Sequence, residues 1–147
     1  MSSMYGQYKT DESFEQNGVH TQFGNARILL ARAGGANKRF ARAFERETRP
    51  MRRALESGVV DNDQSRIAMQ RIYADAVVLG WETNVGNGTE DWQPGIEGPD
   101  GDILPFTREN VIATFQALPD LFNDVIQEAS RINNYRMQLL EDDQKNS

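Results

Sequence analysis

The sequence predicts an α+β fold that is mainly α. It reads as an N-terminal β-hairpin followed by four or five helices, with a long Gly/Asp-rich loop before the last two. Three observations carry this reading. Val19, Thr21 and Phe23 alternate with polar residues, the period of a half-buried strand. From Asn37 onward, apolar residues recur at three- and four-residue intervals, the period of an amphipathic helix. Glycines at 86, 88, 95, 98 and 101 and prolines at 94 and 99 break that period across residues 82–102.

The elements follow in order. Residues 1–12 show no apolar periodicity and read as a flexible tail, residues 13–140 as a single domain, and the polar residues 141–147 as a frayed C-terminus. At 147 residues the chain is long enough for one core. After the first strand, Gly24-Asn25 is a turn signal. Arg27 to Ala33 reads as the second strand, stopped by Gly34-Gly35. A helix can also be written through Ala26–Ala33, and the hairpin is the preferred reading. Asn37 is the expected N-cap of a helix from Lys38 to Thr48. Phe40, Ala43 and Phe44 lie on one face of that helix, and Arg39, Arg42, Arg46 and Arg49 surround the other. Pro50 cannot continue it but can begin another segment, Met51–Ser57, closed by Gly58.

Asp61 and Gln64 form a capping-box-like start. Ile67, Ile72, Tyr73, Ala76, Val77 and Leu79 then keep helical spacing, which places the helix end near Gly80-Trp81. In the loop that follows, Gly98-Pro-Asp-Gly101 is a tight turn between Ile96 and Ile103-Leu104. Thr107 caps the next helix, with Phe106 and Val111 at staple positions and Val111, Ile112, Phe115 and Leu118 as its stripe. Pro119 begins the last helix as a first-position proline. Leu121, Phe122, Val125, Ile126, Ala129, Ile132, Leu139 and Leu140 mark its buried or partner-facing side.

Composition bounds the chemistry. The chain has no cysteine and one histidine, His20, so thiolate chemistry is excluded and a zinc site would need carboxylates for nearly all its ligands. His20 beside Val19 reads as a strand residue rather than a general base. No phosphate-cradling glycine loop and no HExxH pattern is present. The acidic residues from Asp91 to Asp102 miss the spacing of a calcium loop, with Pro94 and Gly95 interrupting and an Asp at the twelfth place. The expectation is a non-enzymatic protein without cofactor or metal. No window approaches the ~18 apolar residues of a membrane span, and the polar N-terminus lacks a signal-peptide pattern, so a cytoplasmic location is expected.

Charge is unevenly spread. Residues 27–71 hold eleven Lys/Arg and five Asp/Glu, a net of +6, whereas residues 72–147 hold four and fourteen, a net of −10. Seven of the sixteen residues in 38–53 are basic. That run could meet nucleic acid through Arg39, Arg42, Arg46, Arg49, Arg52 and Arg53, or the oppositely charged half of the same or another subunit. Its aromatics, Phe40 and Phe44, fall on the apolar stripe, and overall acidity (net −6) opposes attraction to phosphate. Nucleic acid is therefore the less favoured partner.

One ordered series of motifs remains. Tyr73-Ala-Asp-Ala-Val-Val-Leu-Gly-Trp-Glu82 precedes a Gly/Asp loop. Gly101-Asp-Ile-Leu-Pro-Phe-Thr-Arg-Glu-Asn110, Leu118-Pro-Asp-Leu-Phe122 and a closing amphipathic segment follow. Upstream, Ala31-Arg-Ala-Gly34 leads into the helix with Asn37 and Phe40. Over roughly residues 15–130 this order resembles the tail assembly chaperones of bacteriophages with long, non-contractile tails. The loop between Trp81 and Leu104 is longer than that pattern, through Thr89-Glu-Asp-Trp-Gln-Pro-Gly-Ile96.

The resemblance implies binding of the tape measure protein in the host cytoplasm, which keeps it soluble while the tail tube assembles around it. Tail tube subunits and further copies of the chain are additional implied partners. A chaperone for a helical client needs an apolar surface on which a helix can lie. The sequence offers Leu121, Phe122, Val125, Ile126, Ile132, Tyr135, Leu139 and Leu140 for it. The competing reading is that this stripe is ordinary core. Trp81, Pro105 and Phe106 read as structural, pinning the loop to the last helices. The alternatives are a small nucleic-acid-binding or regulatory phage protein, and a structural tail or head-completion component.

Overall fold

The computed structural model describes residues 3–58 and 61–137, the side chain of Leu55 excepted. Leu139, Leu140 and the 141–147 terminus lie outside the described residues.

The chain begins with two short helices, α1 (Met4–Tyr8) and α2 (Glu12–Asn17). Ser3 and Asp11 cap them by accepting hydrogen bonds from first-turn amides. The hairpin follows as expected, β1 (Val19–Phe23) and β2 (Ala26–Leu30), in register from Val19↔Leu30 to Phe23↔Ala26. Helix α3 (Lys38–Thr48) occupies the predicted span. Pro50 sits in a 3₁₀ turn, Arg49–Met51, that leads into α4 (Arg52–Glu56).

Helix α5 (Asn62–Ala76) starts where predicted, with the Asp61 carboxylate accepting from the Asp63 amide. It does not run on to Gly80-Trp81. It stops at Ala76, and Val78–Asn84 is a strand, β3, at the centre of an antiparallel sheet ordered β1-β2-β3 with β4 (Trp92–Pro94) at the edge. The reason for the misreading is a β-bulge. Leu30 pairs with Val78 but Leu29 with Gly80, so Leu79 has no opposite number. Val78 and Trp81, three residues apart, are therefore both buried, a spacing that imitates a helix. Pro94 is tolerated because β4 has a neighbour on one side only.

The predicted hairpin in the loop is present. β5 (Ile96–Glu97) pairs with β6 (Ile103–Leu104) through Ile96↔Leu104 and Glu97↔Ile103. Helix α6 (Arg108–Ala117) is capped by Thr107, whose hydroxyl accepts from the Asn110 amide at 3.1 Å. Helix α7 (Pro119–Ser130) begins at the proline. It does not carry Ile132 or Tyr135. These fall in a 3₁₀ turn, Ile132–Tyr135, after Arg131 has turned extended.

The core lies where α3, α5, α6 and α7 meet the sheet. Ile28, Leu30, Ile72, Val77, Val78, Trp81, Val111, Phe115, Phe122 and Val125 are all buried there. A chain of rings crosses it: Phe40 to Tyr73 at 6.0 Å, Tyr73 to Phe122 at 5.5 Å and Phe122 to Phe115 at 4.8 Å. Such tilted and edge-on pairs contribute beyond the area they bury.

Asn37 has a different role from the one expected. Its side chain makes no capping bond to α3. The buried amide instead donates to the carbonyls of Arg32 (2.9 Å) and Ala76 (2.8 Å). It thus satisfies one orphan acceptor at the end of α5.

Candidate protein-binding groove

Of the eight positions proposed for a partner from sequence, the six that are described do not form one open surface. Phe122 (4% exposed), Val125 and Tyr135 (1% exposed) are core. The Tyr135 hydroxyl donates to the Leu30 carbonyl at 3.1 Å, and burial raises its pKa. Leu121 and Ile126 are partly buried and pack against the same core. Ile132 is half-buried on the 3₁₀ turn, and Leu139 and Leu140 lie outside the described residues. The stripe is mostly spent inside the protein.

A different apolar surface is open. The β5–β6 hairpin and α6 enclose a groove of about 500 Å³. Ile96, Pro99 and Leu104 line the hairpin side, and Ala113, Ala117 and Leu118 the helix side. Leu118 is 53% exposed where α6 turns into α7, with no side-chain cap of its own. Sequence reasoning assigned Leu118 to the α6 stripe with Phe115. Its last-turn position, beyond Phe115, was the signal that it could fall clear of the core.

The hairpin wall is held from below. The Trp81 indole N–H donates to the Leu104 carbonyl at 3.1 Å, and the Trp81 ring meets Phe106 edge-on at 5.7 Å. The Thr83 hydroxyl donates to the Gly95 carbonyl at 2.8 Å. Gly95 has φ +98°, and a Cβ there would sit 2.5 Å from Ile103 Cγ2. Only glycine fits that close, left-handed corner. On the helix wall, the Asn110 amide donates to the Pro105 carbonyl at 2.9 Å. The Gly-Trp and Leu-Pro-Phe motifs thus build one wall, and Leu118-Pro119 ends the other. The structural role expected of Trp81 and Phe106 is what this geometry provides. Trp92 lies apart on β4, with the Arg27 guanidinium 4.2 Å above its ring.

About half of the basic segment is engaged within the molecule. Arg39 donates to the Gln16 carbonyl and to Asn37 Oδ1. Arg46 and Arg108 converge on Asp75 at 2.7 and 2.5 Å, which ties α3 and α6 to α5. The bond to Asp75 also pushes the Arg108 pKa further up. Arg49 and Arg52 flank Glu45 at 3.3 and 2.5 Å, and the Arg49 hydrogen bond leads in lowering the Glu45 pKa. Among the described residues Lys38, Arg39, Arg42 and Arg53 have no ion-pair partner, Arg39 being held by hydrogen bonds alone. Phe40 is in the aromatic chain, so no two aromatics stand ready for base stacking on this face.

A buried ion pair holds the N-terminal segment. Glu15 takes Arg32 at 2.6 Å and the Thr10 hydroxyl at 2.9 Å. Among the described residues no group of three or more His, Asp or Glu could hold a metal ion. No described helix is long and apolar enough to cross a membrane.

Comparison with known proteins places the chain. The model of the family described as YdaY prophage protein matches residues 35–146, more than half of the 147 residues. That span takes in α3 to α7 and both walls of the groove. No curated protein and no solved structure matches the chain.

Proposed function

This chain belongs to the YdaY prophage protein family, and from that premise we propose that it is a non-enzymatic protein-binding module, a tail assembly chaperone for the tape measure protein. It acts in the host cytoplasm, holds its long helical client soluble, and releases it as the tail tube forms. The observation that carries the reading is the open apolar groove between the β5–β6 hairpin and α6. An amphipathic helix seats its apolar face in a groove of this kind. The motif series that resembles tail chaperones supports the same assignment, because its members form or brace the groove walls. The internal engagement of Arg39, Arg46, Arg49 and Arg52 favours a protein client over nucleic acid.

Co-expression tests the proposal. The tape measure protein should be soluble and co-purify with this chain, and should be insoluble without it. Equal solubility in both cases, with no co-purification, would refute the chaperone reading. A chaperone should also be missing from purified virions, whereas a tail or head-completion component would be retained in them.

A further inference from the structure

We infer that the groove selects a basic amphipathic helix, with Lys or Arg flanking a narrow apolar face. This rests on the protein-binding reading above and adds the chemistry of the client segment. The lining is mostly apolar and its helix side is small: Ala113 and Ala117 are exposed one turn apart on α6, with Asn110 and Thr114 beside them. Small side chains let a second backbone approach closely, so the occupant presents a narrow stripe rather than a row of bulky rings.

The rim decides the charge. Glu97 lines the groove, Asp100 and Asp102 sit on the turn of the hairpin wall, and all three are exposed. Glu109 stands one helical turn before Ala113 at the edge of the same α6 face, and Asp120 follows Leu118 in the first turn of α7. From Pro94 to Leu121 these five carboxylates face one cation, Arg108. Asp75 already holds that cation. Among the described residues from Pro94 to Leu121, no positive charge is therefore free to meet an acidic client. A client with flanking Lys or Arg gains attraction from several carboxylates at once, and an acidic one is repelled.

The test uses the full chain and three fluorescent helical peptides about 18 residues long, roughly 27 Å of helix. They share one Leu/Ala face and differ only in flanking Lys, Glu or Gln. Anisotropy titrations should give the Lys peptide at least about tenfold tighter binding than the Glu peptide at low ionic strength, a gap that narrows with added salt. The triple substitution Glu97→Lys, Asp100→Lys, Asp102→Lys should invert the order. Leu118→Ser, which leaves an acceptable N-cap for α7, should weaken the Lys peptide by about tenfold. Circular dichroism confirms that each variant is folded.

Equal binding of the Lys and Glu peptides overturns the charge inference and leaves the groove as a binding site. Binding of none of the peptides, while the tape measure protein still co-purifies, overturns this inference and the groove together but not the chaperone reading. Lys-peptide binding that is untouched by both variants places the contact elsewhere and also overturns it.

Discussion

Two apolar surfaces in the C-terminal half had opposite fates. The α7 stripe looked the better partner surface, being longer and more hydrophobic, yet Phe122, Val125 and Ala129 are buried against Tyr73, Phe115 and the sheet. The α6 groove is smaller and its helix wall is built largely of alanine, yet it is open. The difference lies in what the rest of the chain covers. Helix α7 is covered where Phe122 meets the rings of Tyr73 and Phe115. On the outer face of α6, the hairpin stands beside the helix and leaves a gap. Hydrophobicity thus pointed to the core, and the open groove is marked by an interruption in hydrophobicity.

That contrast can be broken or sharpened by substitution, in order of expected effect on stability. Phe122→Ala should cost about 3–5 kcal/mol, the range for removing a buried ring. Client capture should fall only as far as the folded fraction does. If thermal unfolding were unchanged while capture was lost, Phe122 would be a contact residue and the assignment of α7 to the core would be wrong.

Trp81→Phe keeps a ring under the hairpin but removes the donor to Leu104, at a cost of about 0.5–1.5 kcal/mol for the lost hydrogen bond. Hydrogen exchange should speed up around Gly98, Ile103 and Leu104 and stay slow in α5 and α7. Unaltered protection in the hairpin would show that the indole hydrogen bond is not what holds the wall.

Leu118→Ser should change stability by no more than about 0.5 kcal/mol, as is usual for an exposed site, while reducing the tape measure protein captured in pull-downs. Full capture by this variant would move the client off the groove.

His20 gives the smallest effect. It is exposed on β1, but partial desolvation against the sheet, with the Arg27 charge adding to it, lowers the imidazole pKa below its ordinary value of about 6.5. The unfolded chain therefore takes up the proton more readily than the folded one, so stability is complete above about pH 6.5 and declines as pH falls through that value toward the folded pKa. His20→Asn should remove this shallow dependence from melting curves taken between about pH 7 and 5. A slope that persists in the variant would assign it to other groups.

Much of the framework was legible because its signals are local. The Val19–Phe23 alternation, the Lys38–Thr48 helix, the Thr107 cap and the Gly98–Gly101 turn each rest on neighbouring residues, and each is found in place. The misreadings came where distant partners overrode local pattern. Val78–Asn84 became the central strand because β2 supplied a pairing edge, and the bulge at Leu79 hid the strand period. The last helix stopped at Ser130 because the Asn134 amide caps the Glu128 carbonyl at 2.8 Å and Tyr135 is drawn under Leu30. The backbone there also joins the N-terminal segment, through Thr10 opposite Arg136 and the Asp11 amide on the Tyr135 carbonyl. That contact spans nearly the whole chain and has no local signature.

The same division holds for the candidate site. The sequence by itself determined the α+β class, the caps at Asp61 and Thr107, the turns and the motif series now found around the groove. These depend on side-chain geometry within a few residues. Only the tertiary structure decided which apolar surface is covered and which is open. Burial depends on contacts between segments far apart in the chain, and periodicity reports that a face is apolar without reporting what lies on it.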